Sequence, residues 1–280
     1  MICGPLSTKP WNAPVRDFSL KLDLVAIYLV VAAHPDDPDF GVAGTAARLA
    51  SEGHSVHYLM LTSGDAGSED PGVPPDELVR VREAEQQAAG RILGLSGVHF
   101  LRFPDGELQP TLEVRKAIVR VMRSLQADVV ICQDPRSLVD DDSTYLNHPD
   151  HRAAGQAALD AAFPAAGNPS AFRDLLDEGL QPHKVKEVWL YFTSGQHVNH
   201  WVDISETIDQ KIEALTAHTS QIGEWAASGE LRREMLKWAE DTATRHKLDF
   251  KYAEGFQRIV LVSEQERTPE AAALEAQAEE

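Results

Sequence analysis

Apolar and polar positions follow two alternating rhythms from Leu24 to about residue 160, after an aperiodic, Pro-containing stretch over 1–22. Leu24 to Ala33 (LVAIYLVVAA) is unbroken apolar and rich in β-branched residues, as expected of a strand covered on both faces. It stops at His34-Pro35-Asp36-Asp37-Pro38-Asp39, a loop whose two prolines disfavour helix. Phe40 to Glu52 then predicts a helix closed by Gly53. Val56 to Thr62 (VHYLMLT) predicts a second strand, followed by a Gly/Ser/Asp/Pro loop through Pro75. Next come a helix over Asp76 to Leu93 ending at Gly94, a strand over Val98 to Phe103, a helix over Leu112 to Gln126 and a strand over Asp128 to Gln133. A second loop, Asp134 to Asn147, leads to a helix starting near Pro149. Beyond residue 183 the pattern loosens. Strands are expected near Val185–Phe192 and Trp201–Ile204, helices from Ser205 to about Trp238, and a strand at Arg258–Val262.

Strand and helix alternating at this spacing predict an α/β fold, a doubly wound and mostly parallel Rossmann-like sheet with a smaller C-terminal subregion. Residues 1–22 are expected to form an N-terminal extension, 23–263 a single domain, and 264–280 a disordered acidic tail. In such sheets ligands sit beyond the carboxyl ends of the strands, at a topological switch point. The loops after strands one, two and four are therefore where chemistry is expected.

Composition narrows the chemistry. With 26 basic and 44 acidic residues the net charge is −18, which argues against nucleic acid or an anionic membrane surface as partner. Two cysteines supply neither a disulfide framework nor a thiolate zinc site. The apolar run at Leu24–Ala33 is too short to span a bilayer, and the first twenty residues lack a basic segment followed by an apolar one. A cytoplasmic protein without membrane insertion is expected. Any metal site must then be built from His and carboxylates.

His34-x-x-Asp37 lies directly after the first strand, and Asn147-His148-Pro149-Asp150-His151 opens the helix after the fourth. Neighbouring strand ends would bring His34, Asp37 and His151 together. Two imidazoles and one carboxylate suit a borderline divalent ion such as zinc and leave coordination positions open, the mark of a catalytic site. Adjacent side chains in extended backbone point apart, so Asp36 is free to act as a base while Asp37 binds. His148, beside His151, is placed to stabilise a developing oxyanion or to protonate a leaving amine.

These motifs carry a resemblance. HPDDPDFGVAGTAARLASEGH resembles the opening signature of the PIG-L/LmbE-like deacetylases, and NHPDHRAAGQAALDA their second metal motif. REAEQQAAGRILG with RFPDGEL is similar to the family's middle section, and NHWVDISETIDQKIEALTAHTSQ to its carboxyl-terminal part. The resemblance implies a zinc-dependent amidase, or one using another divalent cation such as Fe2+, that removes acetyl from an N-acetylglucosamine-type sugar. It implies ligands at His34, Asp37 and His151, a general base at Asp36 and a transition-state histidine at His148. It also implies substrate contacts at Arg82, within an Arg-x-x-Glu pattern with Glu85, and at Asp105, and assembly into trimers or hexamers. Two departures stand out. Asp39 occupies a position where the family commonly has Glu, and Leu146 a position where several sugar-thiol members have Tyr.

Two other readings compete: a non-haem iron oxygenase, which also uses two His and one carboxylate, and a non-catalytic sugar- or metal-binding module. The strand–helix alternation conflicts with the all-β folds usual for such oxygenases. Intact Asp36 and His148 beside intact ligands argue against a degenerate module.

Overall fold

A computed structural model describes residues 25–139 and 144–261 of the chain. The extension over 1–22 and the tail from 264 lie outside the described residues. The order is β1 (Ile27–Ala32), α1 (Asp37–Gly41), α2 (Ala43–Ser51), β2 (Ser55–Thr62), α3 (Pro75–Leu93), β3 (Gly97–Phe103), α4 (Leu112–Leu125), β4 (Val129–Gln133) and α5 (Pro149–Asp160). Then follow α6 (Asp174–Asp177), β5 (Glu187–Tyr191), β6 (His200–Asp203), α7 (Ile208–Thr216), α8 (Thr219–Ala227), α9 (Glu230–Arg245) and β7 (Ala253–Val260).

The strands form one sheet in the order β3-β2-β1-β4-β5-β7-β6. β1 to β5 are mutually parallel, whereas β7 runs antiparallel to both β5 and β6. The apolar run of β1 divides by parity. Leu29 and Val31 pack with α4 and α5 on one face, and Tyr28, Val30 and Ala32 pack with α2 and α3 on the other. Burial on both faces is why the strand reads as continuous rather than alternating. β1 sits between β2 and β4, so the chain winds away on one side and returns on the other. The switch point therefore falls between the carboxyl ends of β1 and β4.

Three details differ from the sequence reading. The single helix expected over 40–52 is two, broken at Val42 (φ −134°). The break has an electrostatic seat: Glu254 accepts the free N–H groups of Gly44 (3.1 Å) and Thr45 (2.8 Å) at the start of α2. Lys211 pairs with the same carboxylate at 2.6 Å and donates to the Phe40 carbonyl near the end of α1 at 2.6 Å. Both charges are buried. Lys211→Met is therefore expected to destabilise the fold by about 3–5 kcal/mol, because it leaves Glu254 buried and unpaired; urea denaturation followed by circular dichroism checks this. The second difference is the last strand, which begins at Ala253 rather than Arg258, and the third is the helical region, which runs on to Arg245.

α5 presses onto β4 so closely that a Cβ at Gly155 would lie 2.2 Å from the Gln133 carbonyl oxygen. Glycine there lets the helix approach the strand, and this sets where the start of α5 delivers His148 and His151.

Candidate active site and metal centre

The structure brings His34, Asp37 and His151 into contact. Asp37 opens α1, and its Oδ2 accepts the His34 backbone N–H at 2.8 Å. The same oxygen lies 3.3 Å from His34 Nδ1, while Asp37 Oδ1 lies 3.0 Å from His151 Nε2. The outward nitrogen of each ring meets an oxygen acceptor. His34 Nε2 faces Asp105 Oδ1 at 2.9 Å and Asp150 Oδ2 at 3.3 Å, and His151 Nδ1 faces Asn147 Oδ1 at 3.0 Å. Metal-binding histidines characteristically donate their second N–H in this way, which fixes the tautomer and leaves the other nitrogen free.

Charge points the same way. Burial disfavours the His34 imidazolium, yet the carboxylates of Asp37, Asp105 and Asp150 overcome it and push the His34 pKa up to about 12. Burial also works against an ionised Asp37, and His151 and His34 outweigh it, holding that carboxyl well below its usual value. Asp150 is fully buried, and its Oδ1 has no hydrogen-bond partner among the described residues. Three crowded carboxylates and an unpartnered oxygen make a place that favours a cation. Two overlapping groups have donors within 4.8 Å of one another: His34, His148 and His151, and His34, Asp105 and Asp150. A metal site at this cluster thus has a physical basis.

Asp36 departs from its neighbour as the sequence suggests, but by a different backbone device. It is not extended. Its φ of 87° places it in the left-handed region, rare for a residue with a side chain. The carboxylate accepts from Arg82 Nη2 at 3.3 Å. Burial raises its pKa most and Arg82 opposes; the net position is about 6.

Arg82 was expected at the substrate. The structure places it 4% exposed on α3, donating to the Pro35 carbonyl (2.8 Å), the Gly64 carbonyl (3.2 Å) and Asp36. Gly64, at φ 68°, makes room for it; a Cβ there would lie 2.0 Å from Arg82 Nη1. Asp105 likewise faces His34, and it also accepts the Ala66 N–H at 3.2 Å. Its neighbour Gly106 donates its N–H to Asp150 Oδ2 at 2.8 Å. Both residues are tied to the cluster.

His148 caps α5, its Nδ1 accepting the Asp150 N–H at 3.2 Å. That bond assigns the proton of the neutral ring to Nε2. Burial and the nearby His34 lower its pKa, which favours the neutral ring. Its ring lies 5.0 Å from that of His34 and 5.4 Å from that of His151. Asp150 and Asn147 were not singled out from the sequence. Both lie inside the Asn-His-Pro-Asp-His motif, and their place beside its histidines was the available signal.

An α/β protein with clustered His and Asp donors at the switch point of its sheet is the class that fold and site define. Residues 29–162 match the family PIG-L, described as GlcNAc-PI de-N-acetylase. The diacetylchitobiose deacetylase of Thermococcus kodakarensis is 39% identical over 196 residues, covering 70% of each chain. This chain belongs to the PIG-L family. The N,N'-diacetylchitobiose deacetylase of Pyrococcus horikoshii superposes with a TM-score of 0.75 at 28% identity over 85% of both chains. A 4-carboxy-2-hydroxymuconate hydratase from Pseudomonas putida shares the fold, with a TM-score of 0.69 at 21% identity, over 85% of this chain and 98% of its own. Among the described residues, no helix is long and apolar enough to cross a membrane.

Proposed function

We propose that the protein is a metal-dependent deacetylase that hydrolyses the acetamide of an N-acetylglucosamine-type sugar or sugar conjugate. The observation that carries this reading is the meeting of His34, His151 and Asp37, flanked by Asp36 and His148, in a chain related to diacetylchitobiose deacetylase. His34, Asp37 and His151 would hold one divalent ion, zinc in this reading. Such an ion supplies Lewis acidity toward an amide carbonyl and toward water.

The protein's own groups do the remaining work. Asp36 accepts a proton from the attacking water as its oxygen bonds to the acetyl carbon. His148 offers Nε2–H to the oxygen on which negative charge develops. The C–N bond then breaks, and the proton held by Asp36 goes to the departing amine. Acetate and a free amino sugar result. Arg82 acts by holding the Pro35, Gly64 and Asp36 segments together, and Asp105 by orienting His34.

Fluorescamine detection of new amines across a panel of N-acetylated sugars, with and without chelator, tests this. Amine release that stops with chelator is expected; no release from any N-acetylated sugar would refute the reading. His148→Ala is expected to lower kcat by about 10²–10³-fold, as for loss of one oxyanion donor. His148→Gln, which keeps an N–H, should recover part of that loss, and steady-state kinetics on both variants checks it.

A further inference from the structure

Asp39 and His218 take no part in the reaction above, yet both are almost completely buried and meet at 2.8 Å. Asp39 Oδ2 also accepts from Gln86 Nε2 at 2.8 Å. At its other end Gln86 Oε1 accepts the backbone N–H of Asp36, again at 2.8 Å. The directions are forced. A carboxylate only accepts and a backbone N–H only donates, so the Gln86 amide has one orientation and His218 carries its proton on Nε2. The chain of bonds ends on the one site residue whose backbone lies in the left-handed region.

The same network reaches the C-terminal helices. His218 is the residue before α8. Glu85, next to Gln86 on α3, accepts from Thr219 Oγ1 (2.8 Å), Ser220 N (2.8 Å) and Ser220 Oγ (2.7 Å) at the start of that helix. α8 has no fully buried residue of its own, so these polar bonds are a main part of what seats its first turn.

We infer that Gln86, itself fixed by Asp39 and His218, is a positioning residue that holds the Asp36 backbone in its left-handed conformation and so aims the Asp36 carboxylate. The inference rests on the reading of Asp36 as the base. Without the bond from Gln86 the Asp36 peptide relaxes toward negative φ and the carboxylate swings from its place beside Arg82. Such misplacement affects the reacting geometry, not the affinity for sugar or ion.

A double-mutant cycle tests it. Gln86→Leu is expected to lower kcat by about 10–10²-fold, the scale of a small misalignment. KM is expected to stay within about twofold, with bound metal per chain unchanged. Combined with Asp36→Ala, the same change should alter the residual rate by less than about twofold, because its route of action is already gone. Parent-like kcat in Gln86→Leu, or equal losses in both backgrounds, would overturn the inference. If Gln86→Leu does not fold, Gln86→Met serves in the same cycle, since it keeps the length of the side chain while its thioether is at best a weak acceptor for the Asp36 N–H. Should the parent release no amine, the deacetylase reading fails. The positioning claim is then judged by the crystal structure of Gln86→Leu, where an Asp36 φ still positive overturns it and a negative one upholds it.

Discussion

Asp36→Ala is expected to lower turnover of an N-acetylglucosamine substrate by about 10²–10⁴-fold, the range attributable to one general base. Metal content and folding should survive. The two adjacent carboxylates are separated by backbone geometry: at φ 87° Asp36 turns toward Arg82, whereas Asp37 turns toward His34 and His151. Removing the first therefore leaves the second in place. Asp36→Asn, of nearly the same shape, should be about as slow, which separates loss of the base from loss of packing. Arg82 keeps its two carbonyl partners at Pro35 and Gly64 in either variant. Parent-like turnover in the alanine variant would remove Asp36 from the mechanism.

His151→Ala should release the ion and with it essentially all activity. This variant also decides between the proposed ligands and the overlapping group of His34, Asp105 and Asp150. If His34, Asp37 and His151 hold the cation, His151→Ala loses both metal and turnover, and chelated parent protein regains turnover when divalent cation is restored. Asp105→Asn then weakens metal affinity by about 10–100-fold, the cost of losing a partner that orients a ligand, but does not abolish binding. Were Asp105 and Asp150 the ligands beside His34, the ranking would invert. Elemental analysis after dialysis, run on both variants beside the parent, distinguishes the two cases.

The parallel half of the fold was legible because its signals are local. The run from Leu24, the prolines after His34 and Gly94 after Leu93 each mark a boundary without reference to the rest of the chain. The C-terminal part was read less well for a physical reason. β6 and β7 are antiparallel and only partly buried, and the apolar signal of β7 is diluted by Glu254, Gln257 and Arg258. Its true start, Ala253, owes its place to Glu254 reaching α2 and Lys211, a contact that no window of sequence contains.

The site shows the same division. His34, Asp37, His148 and His151 stood out because their spacing placed them at strand and helix ends. The bonds of Arg82 to the Pro35 and Gly64 carbonyls, and of Asp105 to His34, could not be read from the sequence, since their partners lie on other segments of the chain. The importance of Gln86 was invisible, since a glutamine in the middle of an amphipathic helix reads as solvated surface. Only the folded arrangement shows it bonded at both ends.

The placement of β1 has a consequence for how the protein assembles. β1 pairs with β2, its neighbour in the chain, through Ile27 and Ser55, but with the distant β4 through Tyr28 and Val129. His34 and Asp37 come with the early partner and His151 with the late one. With the proposed ligands, a nascent polypeptide still lacking β4 would own an incomplete chelator, and capture of a cation would wait for the central strand to gain its second neighbour. An ion held there would rivet the two halves of the winding together, adding RT ln(1 + [M]/Kd) to the free energy of unfolding. Its supply during biosynthesis would then govern how much mature protein accumulates, and not merely how fast each molecule turns over.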